Sequence, residues 1–234
     1  MLWTIILLCG AWALYRHCAK SHPRHHPSTP PLTRRQASGD AGEARVYAEL
    51  RRILAQLCGN DFYVHPTALL LLHAPGTEFP TAEVDHLVVT PFGIFVIETK
   101  NWVGTILPGR SADHVVCHLP GGRLEERRSP ISQNRTKVAF LRGTLPATWN
   151  VQGLGVFSND ACTLSAELPL AMVSLRDLGY WLRTRRDRHM KSRRPNIKVS
   201  AAWEVVRRLS VEDPTGLALS LHRHKVAGIS SVNI

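Results

Sequence analysis

A mixed α/β domain is the fold class this sequence predicts, and three stretches predict it. Residues 83–101, EVDHLVVTPFGIFVIETKN, hold two short β-branched runs on either side of a turn. Residues 38–57 carry Tyr47, Leu50, Leu54 and Leu57 on one helical stripe. Pro130 opens a second helical run, PISQNRTKVAFLRGTL, at a first-turn position that proline favours. The chain of 234 residues has room for one sizeable domain with appendages, and 44% hydrophobic against 20% charged residues fits a globular core.

Charge and cysteine usage bound the partners and the compartment. A formal net charge of +11 and a pI near 10.0 favour a polyanionic partner or an anionic membrane surface. Five cysteines, Cys9, Cys18, Cys58, Cys117 and Cys162, are odd in number and form no CxxC pair. That argues against a disulfide framework and a structural zinc site, and it fits reduced thiols in a cytosolic setting. No Gly-rich phosphate loop and no Ser/His/Asp array is present.

Taken in order, residues 2–15, LWTIILLCGAWALY, are apolar and free of charge, and Arg16, His17, Lys20 and Arg24 follow at once. This predicts a membrane anchor over residues 1–16, about 21 Å long as a helix against a hydrocarbon core of roughly 30 Å. Arg16 then has to snorkel, with Trp3 and Tyr15 at the interfaces. Positive charge after the apolar run, with no cleavage signature, predicts an uncleaved N-out, single-pass anchor and a cytoplasmic domain; an interfacial segment is the alternative. Residues 17–37, rich in Pro, His, Ser and Arg, read as a disordered basic linker, with His22, His25 and His26 as solvated tether residues.

The domain is expected over residues 38–183. Its first helix starts near Ser38-Gly39-Asp40, good capping residues. Glu43 lies one turn before Tyr47, either as a first-turn charge or as an acid aimed along the core-facing side toward the strands. Residues 62–72 predict a strand broken near Pro66, with the apolar run 69–72 buried beside the central hairpin. His65 and His73 read as hydrogen-bonded structural imidazoles. Strands over 102–107 and 115–119, then a Gly121-Gly122 turn into 123–128, either extend the sheet or make an excursion over the site. In the helix after Pro130, Ile131, Val138, Leu141 and Leu145 form the apolar side, while Gln133 aligns with Lys137 and Phe140 on a flank. Residues 151–157 and 170–173 are closing strands and 175–183 the last domain helix. A basic C-terminal extension, 184–234, contains an arginine-rich run and a helix over 201–209.

The chemistry concentrates in the hairpin. Thr90-Pro91-Phe92-Gly93 suits a type I turn, and side chains two apart share a strand face, so Glu98 and Lys100 project together. A four-residue loop pairs Val89 with Ile94 and puts Asp85 opposite Glu98. A three-residue loop ending in a Gly93 bulge sends Asp85 to the other face. In the first register two carboxylates meet, which is destabilising unless a pKa shifts or a divalent cation intervenes. His86 alternates to the face opposite Asp85, as a packing residue.

Asp85 followed by Glu98-Thr99-Lys100 resembles the D…(D/E)xK signature of the PD-(D/E)xK nuclease superfamily. More narrowly, Gly42-Glu43, the run VDHLVVTPFGIFVIETKN and Ser129-Pro130-Ile131-Ser132-Gln133 resemble, in that order, the NERD (nuclease-related) domain. The family more often has Asn where Ser129 stands. The resemblance implies a restriction-endonuclease-like core, a central mixed sheet flanked by helices, and metal-dependent phosphodiester hydrolysis, with DNA favoured over RNA. It implies that Asp85, Glu98 and the Thr99 carbonyl hold Mg²⁺ or Mn²⁺, with Glu43 completing the shell or holding a second ion. Lys100 would position the attacking water, and Gln133 would orient Lys100 or the substrate. The competing readings are a nuclease fold that binds nucleic acid or a protein without cutting, and a buried ion-pair network of Asp85, Glu98 and Lys100.

Overall fold

The structure is a computed structural model that describes residues 34–230. The expected anchor and the linker as far as residue 33 lie outside the described residues. Among the described residues no helix is long and apolar enough to cross a membrane. Helix α1 spans Arg34–Cys58, so it starts ahead of the expected caps and takes in the end of the segment read as linker. Its stripe of Val46, Leu50, Ile53 and Leu54 is fully buried or nearly so.

The hairpin forms as β4 (His86–Thr90) and β5 (Gly93–Lys100). Val89 faces Ile94 and Thr90 faces Gly93, and the Thr90 hydroxyl donates to the Gly93 carbonyl at 2.9 Å. This is the unbulged register, so Asp85 keeps to the face of Glu98. One expectation is corrected here. The strand beside the hairpin is β1 (Tyr63–Val64), with Tyr63 opposite Val89, whereas β2 (Leu69–Leu71) pairs with β3 (Ala82–Val84) in a separate ladder. Pro66 has no amide proton to give a ladder, so the apolar stretch breaks there and its second half leaves the sheet.

On its other side β5 runs parallel to β9 (Val151–Phe157), which carries the edge strand β11 (Met172–Ser174). The central sheet is therefore mixed, in the order β1-β4-β5-β9-β11. With both edges of β5 occupied, β6 (Gly104–Pro108), β7 (His114–His118) and β8 (Leu124–Arg128) build a sheet of their own with β10 (Cys162–Leu164). The excursion, not the extension, is what forms.

Alternation along β5 divides the core. Phe95 and Ile97 pack toward α1 and α3 (Leu178–Ser192), in one cluster with Leu50 and Trp181. Ile94 and Val96 pack toward α2 (Pro130–Thr144) and α4 (Val199–Arg208), with Val138, Leu141 and Val206. Helix α2 lies unusually close to the sheet because β9 has glycine beneath it. A Cβ at Gly155 would sit 2.5 Å from Pro130 Cγ, inside any real contact distance. That approach lets Asn134 Nδ2 donate to both Val96 O (3.0 Å) and Leu154 O (3.1 Å), clamping helix to sheet.

Helix α3 runs straight across the boundary expected at residue 183. Beyond it the chain returns to the core: Ile197, Val199, Ala202 and Val206 are buried, and the Ile197 amide donates to Pro91 O at 2.8 Å. A last helix, α5 (Leu217–Ser230), completes a compact unit that begins at Arg34. Ile197→Ala should therefore destabilise the whole domain by about 2–5 kcal/mol, the range for truncating a large buried aliphatic. Denaturant unfolding measures it, and a loss below about 0.5 kcal/mol, the range of surface substitutions, would detach this segment from the cooperative unit.

Candidate active site

The end of β5 carries Glu98 and Lys100 out of the apolar core on the face covered by α2, because they continue the alternation of Ile94 and Val96. Lys100 Nζ donates to Glu98 Oε1 at 2.8 Å and to Gln133 Oε1 at 2.8 Å. The other oxygen, Glu98 Oε2, accepts from Lys137 Nζ at 2.8 Å, and the same ammonium donates to Glu83 O at 2.8 Å. Gln133 and Lys137 are one helical turn apart on α2, so Lys137 reaches Glu98 while Gln133 reaches the lysine on its other side. Asp85, in the bend between β3 and β4, accepts from the Thr99 amide at 2.7 Å.

Glu43 arrives from α1, and Gly42 is what brings that helix in. A Cβ at Gly42 would lie 2.7 Å from Ser158 Oγ and 2.8 Å from Asn101 Cβ. Asn101 in turn donates to Ser38 O at 2.8 Å and accepts from Asn159 Nδ2 at 3.0 Å, tying α1 to the ends of β5 and β9. Glu43 and Asp85 line a common cavity of about 430 Å³ with Asp40, His86 and Arg223.

Three carboxylates in one place cannot all ionise freely. Burial raises the Asp85 carboxyl to about 8, with the charges of Glu98 and Glu43 adding to it. Burial likewise raises Glu43 to about 7, with Arg223 opposing. Glu98 goes the other way: burial pushes it up, but Lys137 and Lys100 together outweigh that and hold it below the usual carboxylate range. His86 sits on the opposite face as expected, with Nε2 3.1 Å from Thr99 Oγ1, and burial lowers its imidazole to about 4.

The structure thus joins Glu98, Lys100 and Gln133 in one hydrogen-bonded group and Asp85 to the Thr99 amide beside it, with Glu43 across the cavity from Asp85. Lys137 was missed as a site residue, although its spacing from Gln133 was visible. Arg223 was missed entirely. It comes from α5, where its Nε and Nη2 donate to Glu83 Oε1 at 2.9 and 2.5 Å, and it lies 3.9 Å from both Glu43 and Asp40. Nothing near residue 223 announces that contact, which spans 140 positions.

With this geometry in place, similarity can be stated. The nuclease-related domain, NERD, matches residues 38–158, just over half the chain. The chain belongs to the NERD family. No curated protein and no solved structure is significantly similar to it. The matched NERD segment contains every candidate residue named from the sequence and Lys137 as well, while Arg223 and the three closing helices lie outside it. Ser129, the departure from the NERD pattern, is fully buried, and its Oγ finds no partner. Among the described residues no three carboxylate, imidazole or thiol side chains are grouped closely enough to hold a metal ion. Glu98 spends both oxygens on lysines, and Asp85 spends one on a backbone amide.

The Asp85 shift has a measurable sign. Its folded value near 8 exceeds the ordinary 3.8, so between them the folded chain holds a proton that the unfolded chain has released. Stability then falls as pH rises from about 4 to about 8. In EDTA, Asp85→Asn should remove this loss and gain on the wild type by up to about 1.4 kcal/mol per pH unit. Denaturant unfolding across that range tests it; parallel profiles would mean that Asp85 is ionised in the folded protein.

Proposed function

We propose that this NERD protein is a divalent-metal-dependent nuclease, with DNA favoured over RNA, and that its catalytic group is Asp85, Glu98, Lys100 and Gln133 with Glu43 opposite. The observation that carries the reading is the convergence on one ammonium. Lys100 Nζ is held between Glu98 and Gln133 at the end of β5, half-buried at the edge of the apolar core.

The donor set fits a hard divalent cation in charge and in element. Burial pushes Asp85 and Glu43 up toward neutrality, beyond what Lys137 and Arg223 offset, and all the donors are oxygens. Asp85, Glu98 and the Thr99 carbonyl would hold it, with Glu43 in reach of the same cavity. Once bound, such a cation polarises a phosphate oxygen and lowers the pKa of a water. For the chain's own part, Gln133 fixes the direction of Lys100, whose ammonium meets the charge that builds on phosphorus. Lys137 keeps the second Glu98 oxygen ionised and anchors it to the β3 backbone. Each Glu98 oxygen accepts from one lysine and keeps a second lone pair with which it could meet the cation.

A second reading has an observation of its own. Both Glu98 oxygens already have ammonium partners at 2.8 Å, so the group is satisfied as a buried ion-pair network within a non-cleaving binding module. Breaking such a network strongly destabilises, by about 3–5 kcal/mol. Labelled single- and double-stranded DNA and RNA, offered to the full chain with Mg²⁺, Mn²⁺ or EDTA, separate the two. A nuclease should cut only with metal, and Lys100→Ala and Asp85→Ala should each lose at least about 10²-fold in rate, on the scale of removing one transition-state donor, while staying folded. Unfolding of Lys100→Ala, or metal-independent binding without cleavage by the wild type, would favour the network.

We further propose attachment to a membrane through residues 2–15, with the NERD domain on the cytoplasmic side, on the strength of a charge-free apolar run followed by Arg16 and Lys20. Alkaline carbonate extraction of cell membranes should leave the full chain in the pellet and release a chain whose Leu7 and Leu8 are both changed to Arg. Release of the unchanged chain would refute the attachment.

A further inference from the structure

At the far end of the sheet from Lys100 lies a second feature that the catalytic reading leaves unused. Phe92, in the hairpin turn, is eight positions from Lys100, roughly 26 Å at about 3.3 Å per residue. Beside it is a cavity of about 470 Å³, between the C-terminal half of α3, the start of β9 and the segment leading to α4. Phe92 and Ile197 form its floor, and Arg142, Arg185, Arg188 and Arg194 contribute to its walls. No Asp or Glu lines it. Among the described residues none of the four arginines takes part in an ion pair.

The arginines are placed and not merely collected. Arg142 Nε donates to Val151 O at 2.9 Å, which fixes its guanidinium at the mouth of β9. Arg185 lies over the Trp181 ring, 4.5 Å from its centroid, and its Nε is buried without a partner. Burial and the neighbouring Arg188 both work against the charge on Arg185. Arg193 closes α3 in the left-handed region at φ 54°, and the turn it makes sends Arg194 back toward the same cavity. A helix C-terminus accounts for some positive charge, but its dipole is equivalent to only about half an elementary charge. Four guanidiniums exceed that several-fold, and like charges held together cost stability unless a ligand neutralises them.

We infer that this cavity is a binding site for phosphate groups. Guanidinium forks match phosphate oxygens, a pocket takes discrete phosphates where a flat patch would suit a lipid surface, and Thr148, Asn150, Gln152 and Ser192 on its lining are further hydrogen-bonding groups. The phosphates can belong to a nucleic-acid strand or to a small polyphosphate. The site does not depend on cleavage at Lys100.

Arg188 and Arg194 are both exposed, so the full-length double variant Arg188→Ala/Arg194→Ala tests the site without opening the core. In EDTA, binding of a fluorescent DNA oligonucleotide by anisotropy, and of inorganic pyrophosphate by calorimetry, is compared with that of the wild type and of a charge-matched control, Arg110→Ala/Arg208→Ala. The expected result is a loss of at least 10-fold for one or both ligands in the test variant, with less than 3-fold in the control. If the oligonucleotide is the ligand, its salt slope should also fall by about 1.8, two phosphate contacts at about 0.9 each. Loss for pyrophosphate alone assigns the site to small polyphosphates. Equal losses in test and control, or losses confined to anionic phospholipid vesicles, would overturn the inference.

Discussion

The structure turns on one carboxylate, Glu98, held between two lysines that the chain supplies from different elements. Lys100 comes from the same strand and Lys137 from the helix above it, each at 2.8 Å. A carboxylate this deep has two courses, to take up a proton or to find counter-charge. Here it finds counter-charge, and that choice constrains everything near it. Helix α2 has to lie close enough for Lys137 to reach, which requires glycine at 155 under Pro130 and makes Asn134 a clamp on two strand carbonyls. Strand β5 has to be central, because only a strand covered on both faces presents Glu98 to a helix while its neighbours Phe95 and Ile97 fill the opposite core.

Asp85 and Glu43 show the other course. Neither hydrogen-bonds to a lysine, so burial, with neighbouring carboxylates adding to it, outweighs Lys137 at Asp85 and Arg223 at Glu43 and raises the two carboxyls to about 8 and about 7. Arg223 stands 3.9 Å from Glu43 while its hydrogen bonds go to Glu83. One site thus brings together an ionised acid with two lysine partners and two acids that hydrogen-bond to no lysine. Environments that drive neighbouring carboxyls apart in this way are characteristic of sites that handle protons or cations.

Much of this was legible in the sequence, and the limits of legibility are physical. Turn chemistry at Thr90-Pro91-Phe92-Gly93 narrowed the register to two, and alternation then fixed which face each of Asp85, His86, Glu98 and Lys100 would take under each. Helical spacing put Gln133 on a flank beside Lys137, and only the depth of that flank was unreadable: exposed lysines and buried ones look the same in sequence. The strand over 69–72 went astray because apolar content gives burial and not a partner, and Pro66 redirected it. Residues beyond 183 looked like an extension because charge dominates their composition. Yet Ile197, Val199, Ala202 and Val206, four small or aliphatic side chains dispersed among polar ones, were enough to return that segment to the core. Arg223 was beyond reach, since a contact across 140 positions leaves no local trace.

Charge balance weighs on whether the group is scaffold or site. With Asp85 and Glu43 protonated, Glu98 against Lys100 and Lys137 sums to one positive charge. With all three carboxylates ionised the same five groups sum to one negative charge. A structural network gains most when its charges cancel, because any surplus is a buried charge without a partner. Neither of these outer states cancels, but the singly protonated state between them does, two carboxylates against two ammoniums. The positive state complements a single phosphodiester and the negative state complements part of a divalent cation, and the two differ by two protons on groups that titrate near 7 and 8. A group that passes through neutrality between a state suited to an anion and one suited to a cation is matched, on the proposed reading, to the two ions that phosphodiester hydrolysis has to bring together.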